Sequence, residues 1–275
     1  MVNTPREFYN NIGEQEHNRL SSNSPIHKQL EFERTVEYMS EYLPKNGHIL
    51  DAGGATGRYS RWLLNNGYSV TLIDLSDNMV RIAKEKLKQD YQNVNISQQT
   101  ITKIGFDDNV FDAIICTGGP LSHVMDHNKR VNTINEFKRI SRKGSPIFIS
   151  VMGLLNTLSQ LVKIAPKHDE TKILKEFAKT GEYTVEMMDK LDVDTQFTAC
   201  KFFRTDELRK FLVQNNITVH DIIGLESITS SMSHYWTEEH TKEQENQIRD
   251  TVKILGNDDG IADMSAHILA ICSNE

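Results

Sequence analysis

The chain has 275 residues, 38% of them hydrophobic and 25% charged, which suffices for one large core domain with inserts or a core plus a small cap. A net charge of −7 disfavours a nucleic-acid backbone as the main partner, and no apolar run approaches the length of a membrane span. Cys116, Cys200 and Cys272 are odd in number and far apart, so they read as buried free thiols in a reducing compartment rather than as a disulfide framework. The opening Met1-Val2-Asn3-Thr4-Pro5-Arg6-Glu7 lacks a signal-peptide pattern, and the expected location is the cytoplasm. The basic clusters over 81–88 and 138–143 fall on helices and read as solvated faces.

In chain order, residues 5–22 are expected to form a short helix with Phe8, Tyr9, Ile12 and Leu20 as apolar points. Residues 27–43 form a second helix with Phe32, Val36, Met39 and Leu43 on one face, stopped by Pro44 and Gly47. Strand 48–52, helix 57–66, strand 68–74, helix 77–89, strand 93–98, strand 110–116, helix 127–141 and strand 145–152 follow. Strands alternating with helices predict right-handed crossovers and a parallel sheet. Helix 205–215 opens on Thr205-Asp206-Glu207, a cap followed by first-turn acids. Strands 217–226 and 265–273 bring the sheet to seven.

Two segments do not fit a bare sheet. Residues 153–196 hold the stripe Leu154, Leu155, Leu158, Leu161 and Val162, then a charged helix over 169–180. Residues 227–262 hold Ser231-Met232-Ser233-His234-Tyr235-Trp236 before a polar helix. Long inserts at the carboxyl edge of a sheet read as a cap over a substrate pocket, with a dimer interface as the alternative. The expected division is an N-terminal helical segment 1–44, a ligand-binding core 45–152, a cap insert 153–196, and the rest of the core 197–275 with a second insert at 227–262. Either a monomer or a homodimer is compatible with this pattern.

The most informative stretch is His48-Ile49-Leu50-Asp51-Ala52-Gly53-Gly54-Ala55-Thr56-Gly57-Arg58, with Asp74 closing the next strand. An apolar strand ends in an acid, and glycines then let the backbone approach a ligand as a helix begins. A carboxylate at the end of the second strand is placed to accept hydrogen bonds from a ribose. The pattern Asp51-x-Gly53-x-Ala55-x-Gly57 resembles motif I of the class I S-adenosylmethionine-dependent methyltransferases, usually (Asp/Glu)-x-Gly-x-Gly-x-Gly, with Ala55 in place of the second glycine. Asp74-Leu75-Ser76 is similar to the family's strand-two acid, and Thr100-Ile101 stands where relatives carry an acid for the adenine amino group.

The resemblance covers roughly 45–152, with a return at 200–226 and 265–273. It implies an α/β fold: a Rossmann-like, seven-stranded, mostly parallel sheet with helices on both faces, its last strand antiparallel, plus helical cap inserts. It implies S-adenosylmethionine as cofactor, held by Tyr9, Asp51, Gly53, Gly54, Ala55, Gly57, Asp74, Leu75, Thr100, Ile101, Cys116 and Thr117. The implied activity is methyl transfer to a small-molecule acceptor by in-line displacement. No Asn-Pro-Pro-Tyr, Asp-Pro-Pro-Tyr or Pro-Cys pair marks base methylation. An RNA methyltransferase is the first alternative. A catalytically inactive S-adenosylmethionine-binding protein is the second, resting on the Ala55 and Thr100 departures.

Methyl transfer needs an aligned nucleophile and at most one base. The rim Gly118-Gly119-Pro120-Leu121-Ser122-His123 supplies the candidate, His123, whose imidazole titrates near neutral pH. Asp126 and His127 follow closely enough to orient it, and no third ligand by spacing suggests a metal. Tyr9, Glu16, His17 and Arg19 are the N-terminal candidates, Arg19 as the partner of a carboxylate. Arg58 reads as a helix-surface charge, and Trp62 and Leu63 as core.

Overall fold

The computed structural model describes residues 4–19, 24–168, 170–191, 197–230 and 241–275; Leu20 and the 231–236 motif lie outside the described residues. Helix α1 (Pro5–Asn18) opens on a capping box in which the Thr4 hydroxyl accepts from Glu7 N–H and the Glu7 carboxylate accepts from Thr4 N–H. It kinks at Gly13. Helix α2 (Ile26–Tyr42) ends short of Pro44, and its Met39 is buried, with Phe32, Val36 and Leu43 packed around the same core cluster.

Strand β1 (His48–Ala52), α3 (Arg58–Asn65), β2 (Ser69–Asp74), α4 (Asp77–Leu87), β3 (Val94–Gln98) and β4 (Ala113–Cys116) then alternate as the sequence predicts. Strand β4 starts three residues later than expected. The N–H groups of Val110 and Phe111 are drawn to the Ile140 carbonyl at the end of the following helix, 2.8 and 3.0 Å away, instead of to a neighbouring strand. A short 3-10 turn (Pro120–His123), α5 (His127–Ile140) and β5 (Pro146–Met152) follow.

Within 154–201 lie α6 (Leu154–Ile164), α7 (Lys172–Thr180), β6 (Glu182–Tyr183), α8 (Val185–Leu191) and β7 (Cys200–Lys201). They share an apolar cluster built on Leu154, Leu161, Ile173, Phe177, Met187, Met188, Leu191 and Phe202. The charged helix thus begins at Lys172 rather than 169, and the two-residue β6–β7 ribbon is too short to leave a periodic signal.

Helix α9 (Thr205–Gln214), β8 (Thr218–Gly224), α10 (Lys242–Leu255), α11 (Asp259–Ala262) and β9 (His267–Ser273) complete the described chain. Thr205 is the first helical residue and not the cap. Its N–H is satisfied at 2.6 Å by the remote carboxylate of Asp263. In the second insert, α10 packs against the N-terminal helical segment. Helix α10 docks on α2 through Ile26, Leu30 and Val252, and Arg249 pairs with Glu33 at 2.9 Å.

The sheet order is β3-β2-β1-β4-β5-β9-β8, with β9 antiparallel to both neighbours and the remaining pairs parallel. Side chains alternate between its faces. Ile147, Ile149 and Val151 join Ile134, Phe137 and Leu208 of α5 and α9, whereas Phe148 joins Met39, Leu63 and Val80 of α2, α3 and α4. Trp62 packs at the rim of that second cluster and Leu63 within it. Among the described residues, no helix is long and apolar enough to cross a membrane.

Beyond β5 the chain passes so close to β9 that a Cβ at Gly153 would lie 2.0 Å from the Ser265 carbonyl oxygen. Gly153→Ala is therefore expected to destabilise the protein by about 3 kcal/mol through overpacking against backbone. Thermal unfolding checks this, and an unchanged midpoint would show that the two strand ends spread freely.

Candidate functional site

The site grows from one turn. As β1 ends, the N–H groups of Gly53 and Gly54 both donate to the Ile73 carbonyl, at 2.8 and 3.1 Å. That folds the chain back over the end of β2. Gly53 takes φ +78, and a Cβ there would lie 2.5 Å from Pro120 Cγ. Ala55 also sits at positive φ, 46°, an uncommon state for a residue with a Cβ. Its N–H is held at 2.9 Å by Asp74 Oδ2, while Asp74 Oδ1 accepts from Ser76 N–H at 2.8 Å. Burial pushes the Asp74 carboxyl up to about 6 despite those two bonds. Each oxygen keeps further acceptor capacity for a ligand.

This carboxylate stands on the wall of a cavity at the carboxyl ends of β1 to β4, the edge at which open α/β sheets hold ligands. The structure brings together Tyr9, Gly53, Gly54, Ala55, Asp74, Leu75, Thr100, Ile101, Thr117 and His123 as lining residues. Asp51, Gly57 and Cys116 are not among them. Asp51 is buried beneath the turn, accepts from Ser60 Oγ at 2.6 Å, and is raised by burial to about 7. Gly57 begins α3 at φ +86, where a Cβ would meet Leu87. Cys116 lies in the core, and burial pushes its thiol up. The Thr100 hydroxyl is already engaged with Thr102, whose N–H it accepts at 3.2 Å.

Helix α1 closes the other side. It is tied to the sheet through Asn10, which accepts from Ser76 Oγ at 2.6 Å and from Asn78 Nδ2 at 2.8 Å. Tyr9 and His123, assigned separate roles from the sequence, are joined by a 2.9 Å hydrogen bond between Tyr9 Oη and His123 Nε2. The Cys200 thiol donates to the Thr198 carbonyl at 3.3 Å, so its sulfur accepts from His123 Nδ1–H at 3.1 Å. Nε2 is then the acceptor of the Tyr9 proton. Burial lowers His123 to about 4, so the ring is neutral at physiological pH. Asp126 and His127 do not orient it. Asp126 caps α5 through Lys129 N–H, and His127 packs on Phe211.

At the far end of the wall, Arg19 donates from Nε to Glu16 at 2.9 Å and from Nη1 to Glu31 at 2.6 Å. Arg58 is no free surface charge, since it donates to the His17 carbonyl at 2.8 Å and stacks over Phe32. Two lining groups carry an unanswered demand: Tyr59 Oη and Thr117 Oγ1 are buried with no hydrogen-bond partner among the described residues. Thr117 was legible from its place after β4. Tyr59 was not, because a tyrosine early in an amphipathic helix reads as core.

Residues 49–144 match a family model described as a methyltransferase domain. The ubiquinone biosynthesis O-methyltransferase of Coxiella burnetii is 28% identical over 43% of this chain and 49% of its own length. The ubiquinone/menaquinone biosynthesis C-methyltransferase of Pasteurella multocida is 35% identical over 33% of this chain and 35% of its own. The chain thus spans less than half the length of the curated relatives it matches. A solved SAM-dependent methyltransferase of Methanosarcina mazei superposes with TM-score 0.58 at 19% identity, over 86% of this chain and 96% of that one.

The electrostatics of the wall are open to direct measurement. In an NMR pH titration the His123 ring is expected to stay neutral down to about pH 4 and the Asp74 carboxyl to titrate near 6. An unfolded histidine binds its proton from about 6.5, so His123 taken alone costs the native state stability as pH falls from there toward 4, whereas the raised Asp74 and Asp51 carboxyls, protonated before their unfolded counterparts, act in the opposite sense over the same range. A His123 midpoint near 6.5 would mean that its environment is wet.

Proposed function

On the premise that the chain has the class I S-adenosylmethionine-dependent methyltransferase fold, we propose that it transfers a methyl group from S-adenosylmethionine to a small-molecule acceptor. The observation that carries this reading is Asp74, fixed by Ala55 and Ser76 and presenting spare acceptor capacity to the cavity. The residues present fit the cofactor. Asp74 would accept from the ribose hydroxyls, Leu75 and Ile101 would flank the adenine, and the Gly53–Gly54–Ala55 turn would lie under the sugar. The orphaned Tyr59 and Thr117 hydroxyls would gain partners, and Arg19 with Glu16 would meet the amino-acid end. Asp51 and Gly57 shape the turn from beneath.

When bound, the cofactor supplies an electrophilic methyl group on a sulfonium sulfur. The chain's own contribution is to align the acceptor and take its proton. Because Tyr9 donates to His123 Nε2, its oxygen lone pairs are free to accept from an acceptor O–H or N–H. As Tyr9 takes the acceptor's proton it passes its own hydroxyl proton to His123 Nε2, so the neutral imidazole is the base and Tyr9 the group that touches the acceptor. Cys200, just beyond the 153–196 insert, supports this end, and we read that insert as the cap over the acceptor from the apolar cluster it shares with Cys200. That two of the relatives it matches are named for quinone biosynthesis supports a small, ring-bearing acceptor.

Asp74→Asn is expected to weaken S-adenosylhomocysteine binding by about tenfold or more, the worth of a charge-assisted hydrogen bond. His123→Ala and Tyr9→Phe are expected to cut turnover by about a hundredfold while leaving that affinity intact. Calorimetry and single-turnover assays separate the two effects, and wild-type turnover in His123→Ala would remove the base assignment.

A further inference from the structure

The charged end of the cavity continues inward as a chain of ion pairs that the transfer step does not use. Glu31 on α2 is buried, with only 1% exposed, and receives Arg19 Nη1 at 2.6 Å and Nη2 at 3.3 Å. Behind it, His267 Nδ1 on β9 lies 2.6 Å from Glu226 and 3.6 Å from Glu31. Glu226 is fixed in turn by Ser265 Oγ at 2.7 Å and by His267 N–H at 2.9 Å. Burial opposes the charge on His267, but Glu31 and Glu226 outweigh it and raise its pKa to about 9. Burial likewise works against the Glu31 carboxylate, which Arg19 and then His267 hold below its ordinary range.

The ligand atoms of Glu31, Glu226 and His267 lie within 4.8 Å of one another, a spacing that a cation would accept. Both carboxylates are nevertheless already balanced, one by the Arg19 guanidinium and one by the imidazolium. The cluster is better read through Arg19. Its Nε, Nη1 and Nη2 each spend one hydrogen on Glu16 or Glu31, which leaves two of a guanidinium's five N–H donors without a partner among the described residues on a side chain that lines the cavity. Gly118 keeps the approach open, since even a Cβ there would stand 3.8 Å from Nη2.

We propose that Glu31, Glu226 and His267 form a buried ionic brace that fixes Arg19 at the cavity wall, making them positioning residues for a carboxylate-bearing ligand. The inference rests on the reading that the cavity holds the cofactor. A long arginine side chain loses rotamer freedom on binding, and the brace meets that cost in advance. Simple electrostatics gives the opposite expectation. Removing the Glu31 charge would unmask Arg19 and tighten its grip on an anion.

Two probes discriminate. S-adenosylhomocysteine carries the amino-acid carboxylate, and 5′-methylthioadenosine keeps the adenosine and thioether without it. In calorimetric titrations, Glu31→Gln and Glu226→Gln are expected to weaken S-adenosylhomocysteine binding about tenfold and leave methylthioadenosine within about twofold. Arg19→Ala should show the same split and abolish any further effect of Glu31→Gln. Unchanged or tighter S-adenosylhomocysteine binding, or equal losses for both ligands in a variant that melts cooperatively, would overturn the brace. The milder Glu226→Gln decides if Glu31→Gln fails to fold. A wild-type protein that binds neither probe would overturn the cofactor reading itself.

Discussion

The cavity depends on one carboxylate serving two turns. Asp74 accepts the N–H of Ala55 from the loop after β1 and the N–H of Ser76 from the loop after its own strand. The parallel register that sets Ala52 beside Ile73 makes this possible, because the glycine turn then closes directly over the end of β2. Ala55 holds a backbone conformation that a residue with a Cβ rarely adopts, and the bond from Asp74 is what compensates. The cost is a buried carboxylate with no cation bonded to it, raised to about 6. Such a group is kept where a ligand will use it.

From that anchor the cavity acquires two unlike ends, both finished by α1. Toward β4 the groups are neutral and aromatic. Phe8, Tyr9, His123 and Phe197 meet edge to face or tilted at 5.1 to 5.5 Å, and burial keeps the imidazole and the Cys200 thiol uncharged. Toward β9 the groups are ionic, running from Arg19 through Glu31 to His267 and Glu226. One helix reaches both because it kinks at Gly13, where a Cβ would stand 2.7 Å from Asn78 Nδ2. A dry neutral end suits transfer to an uncharged nucleophile, and an ionic end suits a zwitterion.

What was legible in the sequence was local. The strand-turn-helix around Gly53, the acid at the end of β2 and the alternation that fills the sheet are each written within a dozen residues, and all are found where expected. What was not legible depended on distant partners. Thr205 looked like a cap until Asp263 supplied the bond from elsewhere. Asp126 looked like a partner for His123 and instead caps its own helix, leaving that role to Cys200 just beyond the first insert. Glu31 and His267 come from opposite ends of the chain, so no spacing could have joined them. Tyr9 was singled out as a cofactor contact, and its bond to His123 became visible only once α1 had a position.

On this reading the cavity takes an adenosine bearing an amino-acid tail. Calorimetric titration of the wild-type protein with S-adenosylhomocysteine tests it most directly. One site per chain with micromolar or tighter affinity, about −8 kcal/mol or better, is expected. No heat of binding from a sample that unfolds cooperatively would contradict it and leave Asp74 without the ligand that explains its burial.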